Sequence, residues 1–173
     1  MMGTTHAVFA LLCYYIIAYF MKLPFDAPAV LTFLIIGSLL PDIDHPRMFL
    51  IQQNYLFKRK VRRFIKHRGI VHSLLAALVA TTIVWVIARL YNLERLAVEC
   101  FLLGFISHLA ADSLNPTGIM WLQPFSKKKI RNGIRTGSAM EKAFFTLVVV
   151  AICAVLYTAH PEAFSSLLKN LQF

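Results

Sequence analysis

Charge is what this chain has least of. Only 15% of its 173 residues are Asp, Glu, Lys or Arg, whereas a soluble domain carries about a quarter. Acidic residues are the scarcer class, 8 against 18 basic ones. With 58% hydrophobic residues, the chain has too little polar surface to solvate an ordinary core, and its composition is that of a membrane protein. Cysteine is sparse as well. Cys13, Cys100 and Cys153 are odd in number and lie within apolar segments, which argues against a disulfide framework and predicts small buried hydrophobes. No internal repeat, low-complexity tract or Pro-rich linker divides the chain, so residues 1–173 read as one domain. Met1 to Thr5 carries no positive charge and no small-residue cleavage site follows the first apolar run, so that run is expected to remain as a mature helix.

What the chain does have is long hydrophobic runs. Five apolar segments stand out, Thr4 to Met21, Phe25 to Leu40, Ile70 to Leu90, Leu93 to Ala111 and Ala143 to Ala159. Crossing a bilayer takes about 20 residues, with about 17 as the short limit. The third and fourth segments meet that comfortably; the second is marginal and is a candidate for re-entry. The expected fold is all-α, a polytopic membrane helical bundle of about five helices, some short or re-entrant. Asp26 between Pro24 and Pro28 marks one turn, and Tyr91-Asn92 marks another.

The basic residues are concentrated in two connections. Lys58, Arg59, Lys60, Arg62, Arg63, Lys66 and Arg68 lie between the second and third segments, and Lys127, Lys128, Lys129, Arg131, Arg135 and Lys142 between the fourth and fifth. The positive-inside rule assigns both connections to the cytoplasm. That is self-consistent, because two crossings separate them, and it puts the N-terminus in the cytoplasm. No nucleic-acid reader motif or interleaved aromatic pattern occurs in either connection. Membrane lipids, through anionic headgroups, are therefore the expected partner, and nucleic acid is not.

On that topology the ionisable residues sort themselves. His6 opens the first helix, Asp42, Asp44 and His45 follow the second, His67 and His72 flank the entry to the third, and His108 and Asp112 close the fourth. All eight fall on the cytoplasmic side, whereas Asp26, Glu94, Glu99 and Glu162 fall on or toward the other. Burying such groups unpaired at a helix centre costs roughly 2.5–3.5 kcal/mol each, so their agreement points to one shared site. His108 and Asp112, spaced i,i+4, share a helical face and can ligate one ion; a hydrogen bond between them is the competing reading. Pro41-Asp42-Ile43-Asp44-His45-Pro46 holds two carboxylates and an imidazole in a stiff turn suited to a divalent cation, although either acid can serve as a turn residue. In His67-Arg68-Gly69-Ile70-Val71-His72-Ser73 two imidazoles bracket an arginine suited to phosphate. Ser73 is expected to bond back to a helix carbonyl. Ser138 and Glu141 read as a capping box opening the fifth helix, and Glu141 also lies on the site's face.

The ordered set LLPDIDHP (Leu39 to Pro46), HRGIVHS (His67 to Ser73), GFISHLAADSLNPTG (Gly104 to Gly118) and GSAME (Gly137 to Glu141) resembles the YdjM-type family of bacterial inner-membrane metal-dependent hydrolases, associated with LexA regulation. The resemblance runs over about residues 4 to 145. That family is distantly similar to zinc-dependent phospholipase C and P1-type nucleases. Carried over by motif, the resemblance implies a metal set drawn from His6, Asp42, Asp44, His67, His72, His108 and Asp112, holding one or two divalent ions, Zn2+ or alternatively Mn2+. No tryptophan precedes Trp85, so the N-terminal tryptophan ligand of those soluble enzymes has no counterpart here. The implied activity is metal-assisted hydrolysis of a phosphoester, with Asp42, Asp44, Arg68 and Glu141 as catalytic candidates and a lipid phosphate at the cytoplasmic face as substrate. An ion transporter and a non-catalytic membrane anchor for a regulatory partner are the alternatives.

Overall fold

The computed structural model describes residues 1–44 and 70–162. Among these, five α-helices and two short 3-10 turns follow one another, with no named strand. Helix α1 (Gly3–Met21) is about 28 Å long at 1.5 Å per residue, close to the thickness of a bilayer's hydrocarbon core. It stops where Lys22 takes a left-handed conformation, φ 55°, which lets the Leu23 N–H reach back to the Ala18 carbonyl at 3.0 Å. Helix α2 (Pro28–Leu39) starts on a proline, whose fixed φ suits a first helical position. Pro41 has no N–H to continue the ladder, and the chain tightens into a 3-10 turn over Leu40–Asp44.

A second 3-10 turn, Ile70–His72, leads into α3 (Leu74–Leu90). Ser73 is the hinge between them: its hydroxyl donates to the Ile70 carbonyl at 2.6 Å and accepts from the Ala76 N–H at 3.3 Å. The serine thus bonds back to a carbonyl as expected and in addition caps α3. The left-handed Asn92 turns the chain as expected, and α4 (Arg95–Ser113) follows. Between α4 and α5 (Ala139–Ala159) lies a hairpin closed by an isolated antiparallel bridge of Ile119 with Ile130. The Trp121 indole donates to Ser113 Oγ at 2.7 Å, and the Leu74 N–H donates to the Trp121 carbonyl at 2.9 Å, so the hairpin is fastened to both α4 and α3.

Helix α4 is the centre of the bundle, with twelve of its nineteen residues buried. Two apolar clusters form around it. Ala10, Tyr14, Ala18, Val30, Leu34 and Cys100 make one; Ala77, Phe101, Phe105, Leu109 and Ile119 make the other. Helices α3 and α5 bury little of themselves and expose Leu78, Ile83 and Trp85, and Leu147, Val150 and Tyr157. Apolar faces of this kind are matched by lipid. Three helices, α1, α4 and α5, are long and apolar enough to span a bilayer. Helix α2 has only 12 residues, as its marginal segment foretold. Helix α3 is shorter than expected at 17 residues, because the 3-10 turn and the Ser73 cap take the first four positions of its apolar run.

The closest backbone approach between the described helices joins α2 to α4. A Cβ on Gly37 would stand 2.1 Å from the Phe101 carbonyl oxygen, and one on Gly104 would stand 2.1 Å from the Leu34 carbonyl oxygen. Only hydrogen at these two positions lets the backbones meet, the device by which apolar helices associate without a hydrophobic driving force. Cys100 is buried in this region, whereas Cys153 is exposed on α5, contrary to the expectation that all three cysteines are buried; all are free thiols. In a lipid-facing helix the apolar thiol needs no protein around it.

Gly104→Ala is expected to destabilise the protein by about 1–3 kcal/mol through overpacking, read as a lowered thermal unfolding midpoint in detergent. Gly133→Ala, where a Cβ meets nothing within 4 Å, leaves the midpoint unchanged. Equal effects of the two substitutions would refute the close-contact account.

Candidate metal centre

The ends of four elements meet at one pole of the bundle. His6 lies at the end of the first turn of α1, Asp42 in the 3-10 turn after α2, His72 at the end of the turn before α3, and His108 and Asp112 in the last turns of α4. His6, His72 and His108 are completely buried, Asp112 is buried, and Asp42 is the one partly open member, at 23% side-chain exposure. His6 Nε2 is 3.4 Å from Asp112 Oδ1 and 4.0 Å from Asp42 Oδ2. His72 Nε2 is 3.5 Å from Asp42 Oδ1, and His108 Nε2 is 3.8 Å from the same oxygen. The His6 and His108 rings stack at 3.9 Å between centroids.

The orientation of His108 has an identifiable cause. Its Nδ1 is 2.8 Å from the Ser38 carbonyl oxygen, which accepts and therefore fixes the proton on Nδ1. The Nε2 lone pair is then free to face the carboxylates, the arrangement that ligating histidines adopt. Ser38 follows Gly37, so the glycine contact between α2 and α4 brings that carbonyl within reach. His108 and Asp112 share a face as the i,i+4 spacing requires, but their side chains are 4.0 Å apart, too far for the competing hydrogen bond.

Two triads offer ligand atoms that, within each triad, all lie within 4.8 Å of one another: His6, His108 and Asp112 in one and Asp42, His72 and His108 in the other. Metal–ligand bonds of 2.0–2.2 Å in a tetrahedron put neighbouring donor atoms about 3.3–3.6 Å apart, and the shorter contacts here fall in that range. Both ring nitrogens of His6 and Nε2 of His108 are buried without a hydrogen-bond partner, a costly state that a cation would relieve. The donor set fits a divalent ion of the borderline class that imidazole and carboxylate suit. Asp112 Oδ1 also accepts from the Met1 nitrogen at 2.9 Å. Burial works to raise the Asp42 carboxyl, but its contact with His72 and the neighbouring His108 and His6 outweigh this and hold it down to about 2, so it is an ionised carboxylate available as a ligand.

Of the expected site residues, His6, Asp42, His72, His108 and Asp112 come together. His67 and Arg68, with the side chain of Asp44 and with His45, lie outside the described residues. Glu141 is fully buried but belongs to neither triad. One oxygen accepts the Met2 N–H at 2.6 Å and the other the Gly137 N–H at 2.5 Å. The expected capping box is half present: Ser138 Oγ accepts the Glu141 N–H, while the glutamate reaches Gly137 instead of Ser138 and ties the start of α1 to α5. Sequence reasoning missed Ser38, because a backbone carbonyl has no sequence signature; the lone glycines in α2 and α4 were the available signal.

Removing the Glu141 carboxylate strands two backbone donors. Glu141→Ala is expected to lower stability by about 1–3 kcal/mol, and Glu141→Gln, which keeps one acceptor oxygen, by less. Differential scanning fluorimetry of the purified protein distinguishes this structural role from a purely catalytic one, in which neither variant moves the unfolding midpoint.

The family described as "YdjM inner membrane protein" matches residues 1–168 of this chain. Over 92 residues the chain is 41% identical to the inner membrane protein YdjM of Escherichia coli (strain K12) and, equally, to that of Shigella flexneri. The matched stretch covers 52% of this chain and 46% of either relative, so the chain spans about half the length of the curated relatives it matches. No solved structure matches the chain, and none of these matches carries the distant similarity to phospholipase C and P1-type nucleases. With nearly its whole length matched and three helices able to span a bilayer, the chain belongs to the YdjM family of inner membrane proteins.

Proposed function

We propose that this chain is a divalent-metal-dependent phosphoesterase acting on a lipid phosphate at the cytoplasmic face of the membrane. The observation that carries the reading is the burial of three imidazoles and a carboxylate around Asp42, with nitrogens of His6 and His108 left without hydrogen bonds. Such a group in an apolar bundle is stable when it shares a cation, and it is an expensive arrangement otherwise. His6, His72, His108 and Asp112 are assigned to hold the ion, with Asp42 as the fifth donor. A divalent cation there supplies Lewis acidity, polarising a phosphoryl oxygen and acidifying water.

The chain's own residues do the rest. Asp42, the most accessible member, would take the proton of the attacking water as the new P–O bond forms and return it to the leaving alkoxide oxygen as the ester P–O bond breaks. Ser38, through its carbonyl, keeps His108 in one tautomer throughout. Asp44, His67 and Arg68 are assigned the roles their motifs imply, Asp44 and His67 as further donors and Arg68 as the charge that neutralises the phosphoryl oxygens. Glu141 positions α1, and through it His6. The basic connections, through the positive-inside rule, support a cytoplasmic placement of this pole and of the N-terminus.

Hydrolysis is preferred to transport because of what lies below the site. Among the described residues the interior below the site holds the apolar cluster of Ala10, Tyr14, Ala18, Val30, Leu34 and Cys100, whereas an ion path requires a polar ladder.

Elemental analysis of the detergent-purified full chain is expected to find a divalent metal, with His108→Ala lowering metal affinity by at least about tenfold. Asp42→Asn is expected to lower hydrolysis of lipid phosphoesters, followed by mass spectrometry of the products, by about 100-fold or more. Full metal content in the His108→Ala variant, or metal-dependent uptake into proteoliposomes without hydrolysis, overturns the proposal.

A further inference from the structure

The hairpin between α4 and α5 carries a surface that the metal centre does not use. Phe125 is the most exposed large hydrophobic residue among those described, at 87%, and Leu122 and Ile130 are exposed beside it in sequence. Lys127, Lys128, Lys129 and Arg131 follow directly and are all exposed. An uncovered phenylalanine next to four cations is unfavourable in water. It is the composition of an interfacial anchor, in which aromatic and aliphatic side chains enter the headgroup boundary and basic ones meet lipid phosphate.

The hairpin is not a loose loop. Ile119 is fully buried in the core, the Ile119–Ile130 bridge closes it, and the Ile134 N–H donates to the Leu114 carbonyl at 2.9 Å. Its other attachments define where it sits. Trp121 bonds Ser113, the residue after Asp112, and receives the N–H of Leu74, two residues after His72. The opposite ends of α1 and α3 also expose apolar and aromatic side chains, Phe20, Met21, Leu90 and Tyr91. The bundle thus carries apolar anchors at both ends; a run of three lysines with Arg131 accompanies those at the site's end, whereas the basic residues at the other end, Lys22, Arg89 and Arg95, are separate in sequence.

We infer that the 119–130 hairpin is a docking surface for anionic lipid headgroups, seated in the bilayer interface beside the His/Asp centre. Charge complementarity selects the occupant: clustered lysines beside an apolar tip match the phosphates and upper acyl chains of an anionic leaflet. The inference that this surface also supplies the substrate, an anionic phospholipid, rests on the function proposed above.

The test uses the full chain reconstituted into vesicles of phosphatidylcholine, or of phosphatidylcholine and phosphatidylglycerol in equal parts. A nitroxide at Phe125→Cys, with Cys13, Cys100 and Cys153 replaced by Ala, is expected to be reached by oxygen and shielded from a water-soluble nickel chelate. The same label at Asn132→Cys reports the aqueous level. Separately, and without any cysteine replacement, Lys127→Gln, Lys128→Gln and Lys129→Gln together are expected to abolish the enrichment of spin-labelled phosphatidylglycerol around the protein. A label at 125 as open to nickel as that at 132, a label shielded from both reagents by covering protein, or a lipid preference that survives the lysine substitutions overturns the inference. Metal content measured on the same samples keeps the two readings apart. A loaded protein with a water-exposed hairpin sinks only the docking surface, and a metal-free protein with a membrane-seated hairpin sinks only the metal site.

Discussion

The contact between the backbones of α2 and α4 is the constraint on which the site depends. Gly37 and Gly104 remove the two side chains that would hold the helices apart, and the carbonyl of Ser38 is thereby carried to the imidazole of His108. That single hydrogen bond decides which ring nitrogen keeps a lone pair, and so decides that His108 faces Asp42 and Asp112 as an acceptor of positive charge. The geometry then propagates. The same approach sets the level at which Pro41 ends α2, and with it the position of Asp42 among the three histidines.

A second constraint works along the length of the bundle. Polar chemistry is gathered at one pole, and the interior below it is closed by small and aromatic apolar side chains. An apolar surrounding makes each unpaired imidazole or carboxylate expensive and makes each electrostatic contact among them stronger. The arrangement is therefore stable only as a set, and it is the set, with the proposed cation among its members, that gives a chemical reading to residues that are individually unremarkable. The tie from Glu141 to Met2 and Gly137 belongs to the same economy: a buried acid outside the donor group is satisfied by backbone donors and holds α1, the carrier of His6, against α5.

Much of this was legible in the residues. Hydrophobic length located all five helices to within a few positions, because a run of apolar side chains needs only a count. Boundaries were less secure where local capping intervened. The apolar run from Ile70 reads as helix, yet the Ser73 hydroxyl caps α3 and leaves Ile70–His72 as a separate 3-10 turn, and a cap competes with periodicity on terms that hydropathy does not weigh. The i,i+4 pair of His108 and Asp112 was legible because helical spacing alone puts both on one face. Glu141 was legible as a cap but not as a clamp, since its partner Met2 is 139 residues away.

What the sequence by itself determined is therefore local or compositional: a membrane-spanning, all-helical chain, the approximate helix limits, and the sorting of histidines and aspartates to helix ends that topology requires to lie on one side. What only the tertiary structure decided is which of those groups meet. His6, Asp42, His72, His108 and Asp112 come from distant stretches, His6 and Asp112 being 106 residues apart in sequence and 3.4 Å apart in space, and their convergence depends on helix crossing and close approach rather than on any spacing along the chain. Burial and tautomer follow from that packing, and both are properties of neighbours that a one-dimensional pattern does not contain.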